Sequence, residues 1–173
     1  LGMGDWPGLR DRDPNRTPMA WTPARNGGFS TAPDPLLVLP PITSPGYDYR
    51  VVNVEVQKQL PGSLLNWHRR MLTCRRLLPA LRCGNFELLK CAHPGVISYV
   101  RSDGSMTVLV AANLSAAGAS LHLDLSRWSG LRTREVFWGC EYPPASEDWF
   151  VYLPAHGFSW WLIGEVEDVS SDQ

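Results

Sequence analysis

From Gly84 onward, apolar and polar positions alternate with a period of two. The pattern shows at Phe86/Leu88, Val96/Ser98/Val100, Leu109/Ala111, Leu121/Leu123/Leu125, Val136/Trp138, Trp149/Val151/Leu153 and Phe158/Trp160/Leu162. Successive side chains of a strand point to opposite faces, so this alternation predicts half-buried β-strands. Turn-forming clusters separate them: His93-Pro94-Gly95, Ser102-Asp103-Gly104-Ser105, Ala116-Ala117-Gly118 and Tyr142-Pro143-Pro144. Short strands so spaced predict an antiparallel β-sandwich or barrel. Asp103-Gly104 between two strand patterns is the strongest hairpin signal. Tryptophans supply much of the area such a small core needs. The tail after Gly164 is acidic, then small and polar, and is expected to be a frayed end or a linker.

Before Gly84 the pattern differs. Over residues 62–78, Leu64, Trp67, Met71, Cys74 and Leu78 recur at intervals of three and four, predicting a helix with one apolar stripe. Ser63 is a suitable N-cap, Arg69, Arg70, Arg75 and Arg76 fall largely off the stripe, and Pro79 is expected to end the helix. A shorter helix is expected around Asn53–Gln57. Residues 1–50 have almost no periodicity and carry prolines throughout, which bias the chain away from helix. Yet Trp6, Met19, Trp21, Phe29, Leu36, Leu37, Leu39 and Ile42 need burial. An ordered loop packed on a body is expected, with most of that body outside these 173 residues.

Composition narrows the class. Hydrophobic residues make up 44% and charged residues 19%, which excludes wholesale disorder. The net charge of −1 hides a division: residues 1–83 carry eleven Lys and Arg against six Asp and Glu, whereas residues 84–173 carry five against eleven. This break near residue 83 suggests two structural units. The basic half has no Lys/Arg block, so no nucleic-acid partner is expected. No apolar run approaches the roughly 18 residues of a membrane span, and the opening residues lack the pattern of a secretory signal. A cytoplasmic setting is expected. Cys74, Cys83, Cys91 and Cys140 show no metal spacing and are expected to be reduced, mostly buried thiols.

Candidate chemistry is sparse. Asp11, Arg12, Asp13 and Arg16 share one loop. Such a group can hold a polyol through charge-assisted hydrogen bonds, or can be a solvated loop with ion pairs. Paired carboxylates also serve in glycoside chemistry, but nothing in the spacing fixes their separation. His68, His93, His122 and His156 form no metal-binding set, so structural roles are expected. No serine lies in a G-x-S-x-G elbow. Asn113-Leu114-Ser115 matches a glycosylation triplet that matters only on secretion. Trp160 and Trp161 should face opposite sides of one strand, serving a core and a packed interface rather than a sugar platform.

A further set of residues resembles a known family. In order these are Gly2-Met3-Gly4-Asp5, Asp11-Arg12-Asp13, Arg16-Thr17-Pro18-Met19-Ala20-Trp21-Thr22-Pro23 and Arg25-Asn26-Gly27-Gly28-Phe29-Ser30. They continue through Leu39-Pro40-Pro41-Ile42, Val52-Asn53-Val54-Glu55, Ser63-Leu64-Leu65-Asn66-Trp67, Ala112-Asn113-Leu114-Ser115 and Leu153-Pro154-Ala155-His156-Gly157-Phe158. Together they resemble the end of the trehalose synthases, the maltose α-D-glucosyltransferases of the α-amylase superfamily (glycoside hydrolase family 13). The Arg-Thr-Pro-Met-x-Trp stretch is shared with oligo-1,6-glucosidases.

The resemblance implies a mainly β chain: a C-terminal antiparallel β-sandwich preceded by the last loop and helix of a (β/α)8 barrel. Residues 1–83 would be the end of the barrel, with an active-site loop over 1–50, and residues 84–164 a maltogenic amylase-like C-terminal domain. Residues 165–173 would be a tail. The family's catalytic carboxylates belong to earlier barrel strands, so no catalytic residue is expected in this chain, and the fragment alone should be inactive. Arg16 matches the arginine that holds the non-reducing glucose in the −1 subsite. Ala20 stands where the family usually has Gln. No cofactor is implied; a structural calcium is common in the family, but no ligand set for it is visible here. The implied partners are maltose and trehalose, the upstream barrel of the same protein, and a maltokinase domain or companion protein. The alternatives are an oligo-1,6-glucosidase-type α-glucosidase and a non-catalytic β-sandwich that binds carbohydrate.

Overall fold

A computed structural model describes residues 1–164. The expectation for the tail falls on residues outside that range. The chain divides into two compact units, Leu1–Arg70 and the residues from Met71 onward.

The first unit is mostly irregular, as its prolines require. It has three 3-10 turns, at Asp13–Asn15, Arg25–Gly28 and Asp34–Leu36, and a short helix α1 over Val54–Gln59. Few apolar side chains are buried in it, chiefly Ala20, Ile42 and Val54. Side-chain amides tie the coil together instead. Asn53, fully buried, caps α1 by accepting from Val56 N at 2.9 Å and donates to Tyr49 O at 2.9 Å. Gln57 donates to Leu1 O at 2.7 Å and accepts from Leu65 N at 3.0 Å. Irregular backbone leaves many polar groups without a ladder partner, and these amides satisfy them.

The expected long helix is α2, Leu64–Leu77. Ser63 caps it, its Oγ accepting from Asn66 N at 3.2 Å. None of the α2 residues is buried: Trp67, Met71 and Cys74 of the expected stripe are half-buried and Leu64 is exposed. Pro79 does more than end the helix. It occupies the first turn of a new one, α3 over Pro79–Cys83, where its missing N–H costs nothing.

Among the described residues the second unit contains eight strands: β1 (Asn85–Leu88), β2 (Val96–Ser102), β3 (Thr107–Asn113), β4 (Ala119–Leu123), β5 (Thr133–Glu135), β6 (Glu141–Tyr142), β7 (Trp149–Leu153) and β8 (Phe158–Ile163). Six form one sheet in the order β1-β2-β3-β8-β5-β6, and β4 and β7 pair as a second. All pairings are antiparallel. The two sheets form the expected sandwich. Between them lie Val100, Leu109, Leu121, Leu123, Trp149, Val151, Trp161 and other apolar groups. Trp149 and Trp161 meet edge to face with centroids 5.2 Å apart. Burial of two indoles contributes on the order of 4 kcal/mol each.

The hairpin at Asp103-Gly104 forms as expected, with Gly104 at φ +91°. β3 is buried on both faces. Leu109 and Ala111 face the sandwich interior, whereas Val108 and Val110 pack with Leu78, Ala80 and Leu81 at the start of α3. Trp160 and Leu162 of β8 join that second cluster while Trp161 joins the first, so the adjacent tryptophans do divide between two layers.

Two expectations are corrected. Val136 and Trp138 are not in a strand; β5 ends at Glu135 and a turn follows. The Glu135 carboxylate draws the chain back by accepting from Trp138 N at 2.6 Å, and Gly139 completes the reversal at φ +70°. The cysteines are free but not buried: Cys83 and Cys140 are exposed, and Cys74 and Cys91 half-buried. Cys74 lies on the half-buried stripe of α2, Cys83 ends α3, and Cys91 and Cys140 lie in loops, so none occupies an inward position of a strand.

Candidate functional site

Arg16 leaves the first 3-10 turn, its backbone N–H donating to Asp13 O at 3.0 Å. A second bond, from Trp6 N to Pro14 O at 2.9 Å, closes the loop behind it. Asp11, Arg12, Asp13 and Arg16 are all exposed, and none makes a side-chain hydrogen bond or ion pair among the described residues. The loop therefore lacks the internal ion pairs that one reading of its charges predicts. The Arg16 fork is open to a ligand or to a carboxylate from outside this segment.

The chain then passes through the buried Ala20 and folds back on itself. Trp21 N and Thr22 N both donate to Gly27 O, at 2.7 and 3.1 Å. Asn26 and Gly27 take left-handed conformations, at φ +57° and +63°. A Cβ on Gly27 would stand 3.2 Å from Ala20 Cα, so conformation and close approach both require glycine there. Asn26, 3% exposed, locks the next residues by donating to Ser30 O at 3.1 Å and Ala32 O at 2.9 Å. The curled backbone leaves an open concavity of about 680 Å³ lined by Ala24, Arg25, Gly28, Phe29, Ser30 and Thr31. Arg25 bridges to Asp34 Oδ1 through Nη2 at 2.9 Å and Nε at 3.3 Å. Residue types and periodicity did not single out this concavity. The run Asn26-Gly27-Gly28, which demands positive φ, is the signal that marks it.

The histidines serve local structure. His68 Nδ1 meets Leu64 O at 2.9 Å, and His93 Nδ1 accepts from Gly95 N at 3.1 Å. His122 pairs with Asp148 on the exposed face of β4, and His156 occupies a turn at φ +54°. Among the described residues no group of three His, Cys, Asp or Glu could hold a metal ion. Asn113 of the glycosylation triplet is buried, and its amide donates to Ala117 O at 2.8 Å and Pro154 O at 2.9 Å. In the folded chain that nitrogen offers no acceptor for a glycan. No helix among the described residues is long and apolar enough to cross a membrane.

Comparison with known proteins places this arrangement. The maltogenic amylase C-terminal domain family matches residues 86–160, within the sandwich. The chain is 44% identical over 167 residues to the trehalose synthase/amylase TreS of Mycobacterium tuberculosis, covering 94% of the chain. The chain belongs to the trehalose synthase family. The trehalose synthase of Thermus thermophilus is 38% identical over 98% of the chain. The chain spans 28% of the mycobacterial and 18% of the Thermus trehalose synthase. Oligo-1,6-glucosidase of Heyndrickxia coagulans is more distant, at 32% over 69% of the chain and 20% of that enzyme. Among solved structures, an α-glucosyl transfer enzyme, XgtA, matches with a TM-score of 0.67 and 30% identity, over 91% of this chain and 27% of its own. Trehalose-6-phosphate hydrolase of Bacillus licheniformis shares the fold, at TM-score 0.67 and 19% identity over 91% and 27%.

Proposed function

We propose that this chain is the C-terminal part of an enzyme that isomerises maltose to trehalose by intramolecular glucosyl transfer. The observation that carries the reading is the 44% identity to a trehalose synthase/amylase across 94% of the chain, against 32% across 69% for an oligo-1,6-glucosidase. Residues 1–83 form the end of the catalytic barrel and residues 84–164 its sandwich. Active sites of such barrels are built from loops at the C-terminal ends of the strands, and the ordered coil over 1–50 fits that place. The apolar groups it leaves exposed, among them Trp21, Leu36 and Val38, fit a loop whose supporting body lies upstream.

In this reading the reaction is a retaining double displacement. An upstream carboxylate forms a bond to the anomeric carbon of the non-reducing glucose as the bond to the second glucose breaks, and an upstream acid protonates the departing oxygen. The freed glucose turns within the closed site. Its anomeric hydroxyl attacks the glucosyl carbon, the carboxylate leaves, and the proton returns to the acid/base. Arg16 holds the non-reducing glucose in the −1 subsite. The loop helps exclude water, which would otherwise release free glucose. Maltose and trehalose are the ligands, the upstream barrel is the structural partner, and a maltokinase domain or protein is a companion. The setting is cytoplasmic.

Incubating the intact parent enzyme with maltose tests the reading. Trehalose as the main product supports it, and glucose alone supports an α-glucosidase. The purified 173-residue chain should convert no maltose. Turnover by pure material would place a nucleophile in this segment.

A further inference from the structure

We infer that the outer face of the β4–β7 sheet is a binding platform for a neutral α-glucan chain, which stacks on Phe150 and Tyr152 and hydrogen-bonds to His122 and Asp148. The platform rests on the sandwich alone; the choice of α-linked glucose as its sugar rests on the proposed function.

Register brings these groups together. His122 pairs with Phe150 and Ser120 with Tyr152 across the two strands. Leu121, Leu123, Val151 and Leu153 point into the core, so the alternate residues project outward. The opposite side of the sandwich is the one suited to packing on a preceding body. There α3 covers Val108 and Val110, and the register puts Phe86, Leu88, Ile97 and Phe158 exposed on that same face. So contiguous an apolar surface is built for burial. Both sheets of the sandwich separate it from the outer face of β4–β7.

The outer face instead mixes rings with polar groups. Phe150 is 49% and Tyr152 59% exposed, two residues apart on one strand, so their rings stand about 7 Å apart and can each take the C–H face of a sugar. Both are held in place. Phe150 packs against the His122 ring with centroids 5.1 Å apart. Tyr152 lies against bare backbone at Gly118, where a Cβ would stand 2.7 Å from its Cζ. His122 Nδ1 meets Asp148 Oδ1 at 2.5 Å, which leaves His122 Nε2 and the second carboxylate oxygen to face sugar hydroxyls.

Charge and size select the ligand. Residues 119–125 and 147–153 contribute Asp124, Glu147 and Asp148 but no Lys or Arg, so a nucleic acid or a phosphate is disfavoured and a neutral polyol is not. Two five-residue strands span about 16 Å by about 10 Å, room for a few linked hexoses. That is far less than the roughly 800 Å² per partner of a stable protein interface.

Native electrophoresis of the intact parent enzyme through gels containing glycogen, an α-linked glucan, tests this. Wild type should be retarded. Phe150→Ala and, separately, Tyr152→Ala should weaken the apparent affinity about fivefold or more. Gly118→Ala should weaken it too, by displacing the Tyr152 ring without removing it. Since none of the three touches the residues assigned to maltose conversion, kcat and KM for maltose should stay within about twofold of wild type. A wild type that is not retarded, or undiminished retardation in both ring variants, would overturn the platform. So would a matching loss of maltose kinetics, or a change of oligomeric state on size exclusion, which would mark the face as a contact between chains. A parent that makes no trehalose from maltose would overturn the proposed function and leave the retardation readout intact.

Discussion

Ser159 Oγ donates a 2.9 Å hydrogen bond to Oε1 of Glu135, and both residues are buried in the sandwich. The other carboxylate oxygen accepts from Trp138 N. One side chain thus joins β8 to the turn that ends β5. Glu135→Ala removes two acceptors at once and strands a backbone donor, so it should cost about 2–4 kcal/mol. Glu135→Gln should cost less than half as much, because its oxygen can serve Trp138 N while its amide donates to the Ser159 hydroxyl. Urea denaturation of the two variants checks the order. Equal losses would mean that the charge, not the hydrogen-bond pattern, is what the site uses.

Asp103 gives the chain a defined acid sensitivity. Its Oδ1 accepts from Ser105 Oγ at 2.8 Å, Met106 N at 2.9 Å and Ser105 N at 3.0 Å. These bonds, the Ser105 hydroxyl foremost, hold its pKa below the ordinary value of 3.8. A lowered folded-state pKa stabilises the fold above the unfolded value, and that contribution is lost as pH falls through the folded one. Ser105→Ala should therefore flatten part of the stability loss between about pH 5 and about pH 2. Denaturation midpoints across that range, compared with wild type, measure it. Parallel curves would show that the hydroxyl does not shift the carboxylate.

Asn113 should be among the least replaceable polar residues of the sandwich. It links the end of β3 to Ala117 and Pro154, and its oxygen accepts from Ser115 N at 3.0 Å and Ser115 Oγ at 2.7 Å. Asn113→Ala should lower stability by about 3 kcal/mol through the partners it leaves unmet. Thermal unfolding checks this, and a loss within 0.5 kcal/mol would assign those partners to water.

Arg16→Lys in the intact parent should reduce kcat/KM for maltose by roughly ten- to a hundredfold, the worth of one charged hydrogen bond. Lysine keeps the charge but loses the planar fork. Arg16 sits in a loop where the first 3-10 turn ends and lysine keeps its charge, so helix propensity and core packing are untouched and the melting temperature should hardly move. Kinetics and melting on one purified variant decide it. Near-normal kcat/KM would remove Arg16 from the site.

Much of the fold is legible because it rests on local rules. Alternation at Trp149/Val151/Leu153, the turn at Asp103-Gly104 and the cap at Ser63 each depend on a few neighbouring residues, and each is present in the structure. The Arg16 stretch is legible as a resemblance for the same reason: it is a contiguous string. Val136 and Trp138 alternate as a strand would, but a carboxylate three residues upstream of Trp138 bends them into a turn. Val108 and Val110 interrupt the alternation of β3 because a helix from elsewhere in the chain covers that face. The exposure of Cys83 and Cys140 and the concavity at Arg25 to Thr31 were likewise settled by backbone path. Periodicity records which side of its own strand or helix a residue occupies. What packs on that side, and which distant oxygen meets a donor, depends on contacts between segments far apart in sequence, and only tertiary structure decides those.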